Sequence, residues 1–197
     1  MDTFSRKFSL EGKKAIVTGG AKGLCNGIAQ AFHDAGAEVV LLDVLDLVEE
    51  SARKMAETGA PVHAVKGDLS NPETLPEVYA ECLRKLNGRV DILLNGAGIQ
   101  FRAPAVEFPS SRWQKILDVN LSGLFYMSQL AGKTMLEQGY GKIINIASMC
   151  SFFGSVLIPA YTASKSGVAG LTKALSNEWA SHGINVNAIA PDRKSVV

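Results

Sequence analysis

The sequence has no run of about 20 apolar residues, so no segment is suited to crossing a bilayer. Neither sign of charge prevails: 20 Lys and Arg stand against 19 Asp and Glu, a formal +1. That balance excludes a basic nucleic-acid surface and an acidic disordered tail. Cysteine is sparse. Cys25, Cys82 and Cys150 are too far apart for a disulfide framework or a metal-ligand spacing. His33, His63 and His182 are equally scattered, so core or surface roles are expected for all of these residues and no metal site is expected. The stretch Met1 to Phe8 mixes charge with phenylalanine and lacks the apolar centre of a signal peptide. A cytoplasmic location is the expectation. No linker, low-complexity stretch or short repeat divides the chain. Its 197 residues, 47% hydrophobic and 20% charged, have the make-up of one globular domain.

What is present is a regular alternation of short β-rich runs and longer amphipathic segments. Strands are predicted at Lys14–Thr18, Glu38–Asp43, Pro61–Val65, Asp91–Asn95, Lys142–Ala147 and Ile184–Ala190. Helices are predicted at Asn26–Ala35, Leu45–Thr58, from Asn71-Pro72 to Asn87-Gly88, at Ser110–Gln138 and at Tyr161–Ser181. Ser110 or Ser111 is the expected cap of the fourth. The strands are apolar on both faces, as buried parallel strands are. This predicts an α/β fold, a doubly wound, Rossmann-like parallel sheet in the order 3-2-1-4-5-6. Ligands of such sheets bind beyond the carboxyl ends of the strands.

After the first strand comes Thr18-Gly19-Gly20-Ala21-Lys22-Gly23-Leu24-Cys25-Asn26-Gly27. Glycines let the backbone approach a pyrophosphate, and the next helix offers its N-terminal N–H groups. Between a strand and a helix, in the first βα unit, the run predicts a dinucleotide site rather than a plain tight turn. Gly19, Lys22, Gly23 and Leu24 are its candidate cofactor residues. Asp43 closes the second strand, where a carboxylate binds both ribose hydroxyls of adenosine and repels a 2′-phosphate. NAD is therefore expected over NADP, against the contrary signal of Lys22. Asp68 and Leu69 follow the third strand and could flank adenine, or Asp68 could simply cap its loop.

Ser148 follows the fifth strand, and Asn120 lies in the long fourth helix. Tyr161 and Lys165 are four apart at a helix start and share one face. A free tyrosine, with a pKa of about 10, is a poor base at neutral pH. A neighbouring ammonium stabilises the phenolate and lowers that pKa. Such a tyrosine can exchange a proton with an alcohol or carbonyl while a hydride moves to or from a nicotinamide. Alone, the pair would more often be a surface pair; here it follows a glycine turn, Asn95-Gly-Ala-Gly98 and a strand-end serine, in order.

From about Phe8 to Pro191 the chain resembles the short-chain dehydrogenase/reductase family. The resemblance rests on Thr18, Gly19 and Gly23, on Asn95-Gly-Ala-Gly98, Asn120, Ser148, Tyr161-x-x-x-Lys165 and Asn187-Ala-Ile-Ala-Pro191. It implies that Tyr161 is the general acid/base, that Lys165 lowers its pKa and holds the nicotinamide ribose, that Ser148 orients the substrate carbonyl and that Asn120 anchors a water in a proton relay. It also implies cofactor contacts from Asn95, Ala97, Gly98, Tyr161, Lys165 and Pro191, and a homodimer or homotetramer. Gly98-Ile-Gln-Phe-Arg102, Lys142–Met149, Tyr161–Gly167 and Asn177-Glu-Trp179 are similar to 2-deoxy-D-gluconate 3-dehydrogenases and gluconate 5-dehydrogenases, which act on sugar acids with NAD(H). Arg102 is the candidate for such a substrate's carboxylate, since a guanidinium fork suits it; a solvated arginine is the plain alternative. Ser148 and Tyr161 complete the expected substrate contacts. Other readings are a 3-oxoacyl-(acyl-carrier-protein) reductase-like enzyme and an inactive nucleotide-binding fragment.

Three departures from the family pattern stand out. The third glycine of the turn is Cys25, which is expected to crowd the helix against the strand. Gly96 replaces a second asparagine. After Pro191 the family continues through Pro-Gly, a substrate-covering segment and a seventh strand, whereas here Asp192-Arg-Lys-Ser-Val-Val197 follows. These six residues match the translation of a common sequencing-adapter DNA. The expectation is therefore a domain over 1–191, a non-native tail over 192–197, an unprotected apolar edge at the sixth strand and weak activity.

Overall fold

In strands β1 (Lys14–Thr18), β2 (Glu38–Asp43) and β4 (Ile92–Asn95) nearly every residue is buried, so both faces of the sheet must be covered. The computed structural model describes residues 8–192. Together with β3 (Val62–Lys66), β5 (Gly141–Ile146) and β6 (Ile184–Ile189), these strands form one parallel sheet in the order β3-β2-β1-β4-β5-β6. That is the predicted order. Of the expected tail, 193–197 lie outside the described residues.

The period of two along each strand sorts side chains between two cores. Ala15, Val17, Val39 and Leu41 point to one face and meet helices α1 (Gly23–Asp34) and α2 (Leu47–Met55). Ile16, Val40, Leu42 and Leu93 point to the other. There they meet Leu75, Tyr79 and Cys82 of α3 (Leu75–Lys85), and Met127, Ala131 and Met135 of α5 (Leu124–Gln138). Leu175 and Trp179 of α7 (Pro159–Trp179) close this second core.

The long fourth helix is not uniform. It runs as α4 (Ser110–Leu117), then a π-helical turn (Asp118–Gly123), then α5. Its expected serine cap is corrected: α4 starts at Ser110 itself, with Pro109 before it and no side-chain cap. Two further boundaries move. α1 begins at Gly23, three residues ahead of the predicted Asn26, so its first N–H groups lie within the glycine turn. α3 begins at Leu75 because 71–74 form turns, with the Thr74 N–H bonded to the Asn71 carbonyl. The segment after Ser148 contains a short helix, α6 (Cys150–Phe153). Only alternate residues at the start of β6, Ile184 and Val186, are buried; Asn187 to Ile189 are exposed, so the apolar side chains left open on this edge are Ala188 and Ile189.

The opposite end of the sheet is held by a buried carboxylate. Asp91 is fully buried and accepts bonds from the Lys14 backbone N–H (3.0 Å) and from the Arg89 guanidinium (2.7 Å at the shortest). All the chemistry lies at the other end.

Candidate active site

The carboxyl ends of β1, β2, β3 and β4 open onto one cleft of about 530 Å³, of the size that holds small-molecule ligands. Gly19, Lys22 and Leu24 of the glycine turn line it, with Asp43 from the end of β2. Asp68 and Leu69 line it from the loop after β3, and Ala97 and Gly98 from the loop after β4.

Side chains fix the backbone of this cleft. The Thr18 hydroxyl donates to the Leu94 carbonyl (3.3 Å) and accepts from the N–H groups of Gly96 (3.0 Å) and Ala97 (3.2 Å), so one threonine ties the β1 turn to the β4 turn. The two turns touch. Gly19 has φ +71°, and a Cβ there would sit 2.9 Å from Ala97 Cα. Only glycine meets both demands. The Asp43 carboxylate accepts from the N–H of Ala21 (3.0 Å) and of Leu45 (3.1 Å), which aims it into the cleft mouth. Asn26 donates to the Gly20 carbonyl (2.9 Å) and Ser51 to the Ala21 carbonyl (2.6 Å). Sequence reasoning missed both residues, and nothing in their spacing marks them.

Asp68 does two things at once. Its carboxylate accepts from the Ser70 N–H (2.9 Å), which is the loop cap, and it lines the cleft. Burial pushes its pKa up, but the Ser70 bonds and the Lys115 ammonium 3.2 Å away outweigh this and leave it below the ordinary range. Lys115 also lines the cleft and was not predicted.

Of the four expected catalytic residues, Asn120 and Lys165 bond to residues that line the cleft, Tyr161 has its ring near Lys165, and Ser148 bonds to Tyr161. Asn120 is fully buried at the third position of the π turn. Its amide clamps Ile99 from both sides: Oδ1 accepts from the Ile99 N–H (2.8 Å) and Nδ2 donates to the Ile99 carbonyl (2.9 Å). Nδ2 also donates to Ser164 Oγ (3.2 Å), linking the π turn to α7 beside Lys165. Lys165 Nζ donates to the carbonyl of Ile146 (2.5 Å), at the end of β5, and Ile146 lines the cleft. Gly98 lies between the two: a Cβ on it would be 3.4 Å from Asn120 Oδ1 and 3.8 Å from Lys165 Nζ. Ser148 is buried, and its hydroxyl accepts from the N–H of Cys150, the first residue of α6 (3.1 Å).

Two electrostatic facts qualify the expected roles. Burial pushes Tyr161 above its ordinary pKa, the Ser148 hydroxyl pulls the other way, and Cys150 adds to the rise. The expected lowering by Lys165 does not prevail, because the ammonium lies 5.8 Å from the centre of the Tyr161 ring and donates to Ile146 instead. Lys165 itself falls to about 8, through burial chiefly.

Asn95 departs from its expected place. Its side chain is buried beneath the cleft, donating to Ser128 Oγ (2.9 Å) and Asn145 Oδ1 (3.0 Å), so it holds the sheet and does not face a ligand. Pro191 closes β6 onto the site, its carbonyl accepting from the Met149 N–H (3.3 Å). Arg102 is exposed and has no ion pair among the described residues. The next residue, Ala103, donates to the Leu157 carbonyl (3.0 Å), which brings this segment beside the loop leading to Tyr161.

The sheet order, the glycine turn under Ala97 and the neighbouring Ser148, Tyr161 and Lys165 go together with a sequence match: residues 13–193 match the short chain dehydrogenase family. The chain belongs to that family. It is an oxidoreductase of the short-chain dehydrogenase type, acting on CH–OH groups with a nicotinamide nucleotide. Short-chain dehydrogenases similar to it include the 2-dehydro-3-deoxy-D-gluconate 5-dehydrogenase of Bacillus subtilis, 48% identical over 184 residues, which are 93% of this chain and 72% of the relative. The NAD-dependent glycerol dehydrogenase of Listeria innocua is 37% identical over 188 residues, 95% of this chain and 73% of the relative. The crystal structure of a gluconate 5-dehydrogenase from Burkholderia cenocepacia, in complex with NADP and tartrate, superposes with a TM-score of 0.91 at 33% identity. That alignment covers 96% of this chain and 74% of the other.

Proposed function

We propose that this protein interconverts a hydroxyl and a keto group on a sugar acid of the gluconate type, with NAD(H) as cofactor. What supports the proposal is the cleft itself: the glycine turn and Asp43 line it, and Lys165, with the Tyr161 ring beside it, donates to the carbonyl of its lining residue Ile146. The residues fit a dinucleotide. Gly23 leaves open space over the start of α1, where N–H groups can meet a pyrophosphate. Asp43 is oriented for ribose hydroxyls, and Asp68 and Leu69 for adenine. Bound nicotinamide supplies the hydride acceptor or donor.

The chain's own residues do the rest. Ser148 holds the substrate oxygen, and Tyr161 Oη accepts or returns the hydroxyl proton. The raised pKa keeps Tyr161 in its protonated form, the form that carbonyl reduction needs. Lys165 reaches the nicotinamide ribose, and Asn120 holds the Ile99 backbone that shapes the inner wall. A substrate carboxylate meets Arg102, whose guanidinium is exposed beside the Leu157 loop. Sugar-acid names recur among the similar proteins, which supports the substrate class. NADP is bound in the Burkholderia relative; here the Asp43 carboxylate favours NAD.

The test is a panel of sugar acids and neutral polyols assayed with NAD and NADP by absorbance of the reduced cofactor. Turnover of gluconate-type acids with NAD is expected. In Arg102→Met the KM for the acid should rise about tenfold while that for a neutral ketone holds, since charged hydrogen bonds contribute roughly 1.5–3 kcal/mol. In Asp43→Asn the NADP:NAD preference should shift about tenfold toward NADP. Faster turnover of neutral polyols than of acids would overturn the substrate class.

A further inference from the structure

Two of the sequence's departures from its family meet in space. Cys25 stands on the first turn of α1, and Gly96 is the first residue after β4; both line the cleft. Cys25 is only 7% exposed. A Cβ built on Gly96 would lie 2.1 Å from Cys25 Sγ and 3.4 Å from its Cβ. Real contacts never come so close, so no side chain fits at position 96 while the thiol stays where it is. The backbone does not demand glycine there, because Gly96 is not among the residues with positive φ. The thiol alone demands it, apart from a tight 3.2 Å approach to the Thr18 carbonyl. Gly96 also sits on the hydrogen bond that joins the β1 and β4 turns, its N–H donating to Thr18 Oγ1 (3.0 Å).

We infer that Cys25 and Gly96 are a matched pair forming the floor of the dinucleotide cleft, with the Cys25 side chain a positioning residue for cofactor binding. This rests on the proposed cofactor role of the cleft. Cys25 was expected to crowd α1 against β1. It does not, because its sulfur occupies the volume that a side chain at 96 would take. Burial pushes the thiol pKa up and the Lys165 charge only partly offsets this, so the floor stays neutral beneath an anionic pyrophosphate. A side chain added at 96 has two outlets. It displaces the β4 turn, which carries Ala97 and Gly98, or it turns the thiol out into the cleft. Either one obstructs the dinucleotide.

The experiment is a double-mutant cycle on the full chain with Gly96→Ala, Cys25→Ala and their combination, plus Cys25→Gly/Gly96→Asn, which installs the family's own residues. Dinucleotide affinity is read by fluorescence of bound NADH, and thermal unfolding is followed with no dinucleotide added. Gly96→Ala should weaken NADH binding about tenfold or more and lower the melting temperature, as overpacking does. Both combined variants should recover to within about threefold of the wild type, the coupling expected of residues in contact. In turnover, the Gly96→Ala loss should appear in the KM for dinucleotide and not in the KM for the sugar acid. Normal binding and melting by Gly96→Ala, or losses that add instead of cancelling, would overturn the pairing. No NADH binding by the wild type would overturn the cofactor reading, and the melting temperatures would then still decide the packing pair.

Discussion

Lys165 should destabilise the fold it serves, and the effect has a signature in pH. The side chain is 3% exposed, and its ammonium has one protein acceptor, the Ile146 carbonyl. Burial lowers its pKa from 10.5 to about 8. At 1.36 kcal/mol per pKa unit, this is roughly 3 kcal/mol against the charged lysine in the native state. The sign follows from proton counts. Between about pH 8 and 10.5 the unfolded chain holds the proton and the native chain has lost it. Unfolded chains that bind more protons mean stability that rises with pH. Below about pH 8 both states are charged and the native state carries the full cost.

Lys165→Met removes this dependence. It also strips the Ile146 carbonyl of its donor, which costs about 1–3 kcal/mol at every pH. The offset shifts the comparison but not its slope. Between pH 7 and 9.5 the wild type should therefore gain about 2 kcal/mol on Lys165→Met. Titrating groups far from the substitution cancel in the difference, and Cys25, whose thiol feels the Lys165 charge, is replaced by alanine in both proteins. Urea unfolding of both proteins at five pH values across this range measures it, with equal m-values as the control for two-state behaviour. Stability curves that run parallel for the two proteins would show that Lys165 keeps an ordinary pKa, and the account of a desolvated ammonium would fail.

Two other outcomes are expected. Tyr161→Phe should lower kcat roughly 10²–10⁴-fold while NADH affinity stays within a factor of about two, measured by turnover and by NADH fluorescence. Asp91→Ala should destabilise the protein by about 1–3 kcal/mol in urea, because it leaves the Lys14 N–H without its buried acceptor while the half-exposed Arg89 returns to water, and KM values for remaining native enzyme hold.

The sheet was legible because burial on both faces leaves a plain trace, as in Ala15-Ile-Val17 or Val39-Val-Leu-Leu42, and because glycines mark the turns between elements. The candidate catalytic group could be named because Ser148, Tyr161 and Lys165 follow a strand end and a helix start in fixed order. What escaped reading depends on contacts between distant segments. The π turn at Asn120 has no composition of its own; it arises where the Asn120 amide closes on Ile99 and Gly123 presses on the Leu69 carbonyl. Asn95 looks like a ligand residue in a turn motif, yet its side chain points into the sheet because Ser128 and Asn145 wait there. Cys25 reads as damage until Gly96 is placed beside it. The lowered pKa of Lys165 is a matter of burial depth, which i,i+4 spacing to a tyrosine does not carry.

The ladder under the cleft explains why a core so rich in apolar side chains keeps polar ones. Ser128 on α5, Asn95 on β4, Asn145 on β5 and Thr172 on α7 are joined in line by hydrogen bonds of 2.9, 3.0 and 3.0 Å. The end hydroxyls turn back to the carbonyls of Leu124 and Val168 in their own helices. All four are buried, and Asn95 Oδ1 has no partner among the described residues, a deficit of about 1–3 kcal/mol. Apolar residues of equal volume would avoid that deficit, so stability alone does not account for the ladder. What it fixes is register. α5 continues from the π turn that holds Asn120, and α7 carries Tyr161 and Lys165, so a slide of either helix by a fraction of a turn would part the tyrosine from Ser148. Apolar contacts are non-directional and tolerate such a slide. Hydrogen bonds at 3.0 Å do not. The position of the candidate catalytic side chains is thus set from below, by amides on β4 and β5, before any ligand enters the cleft above.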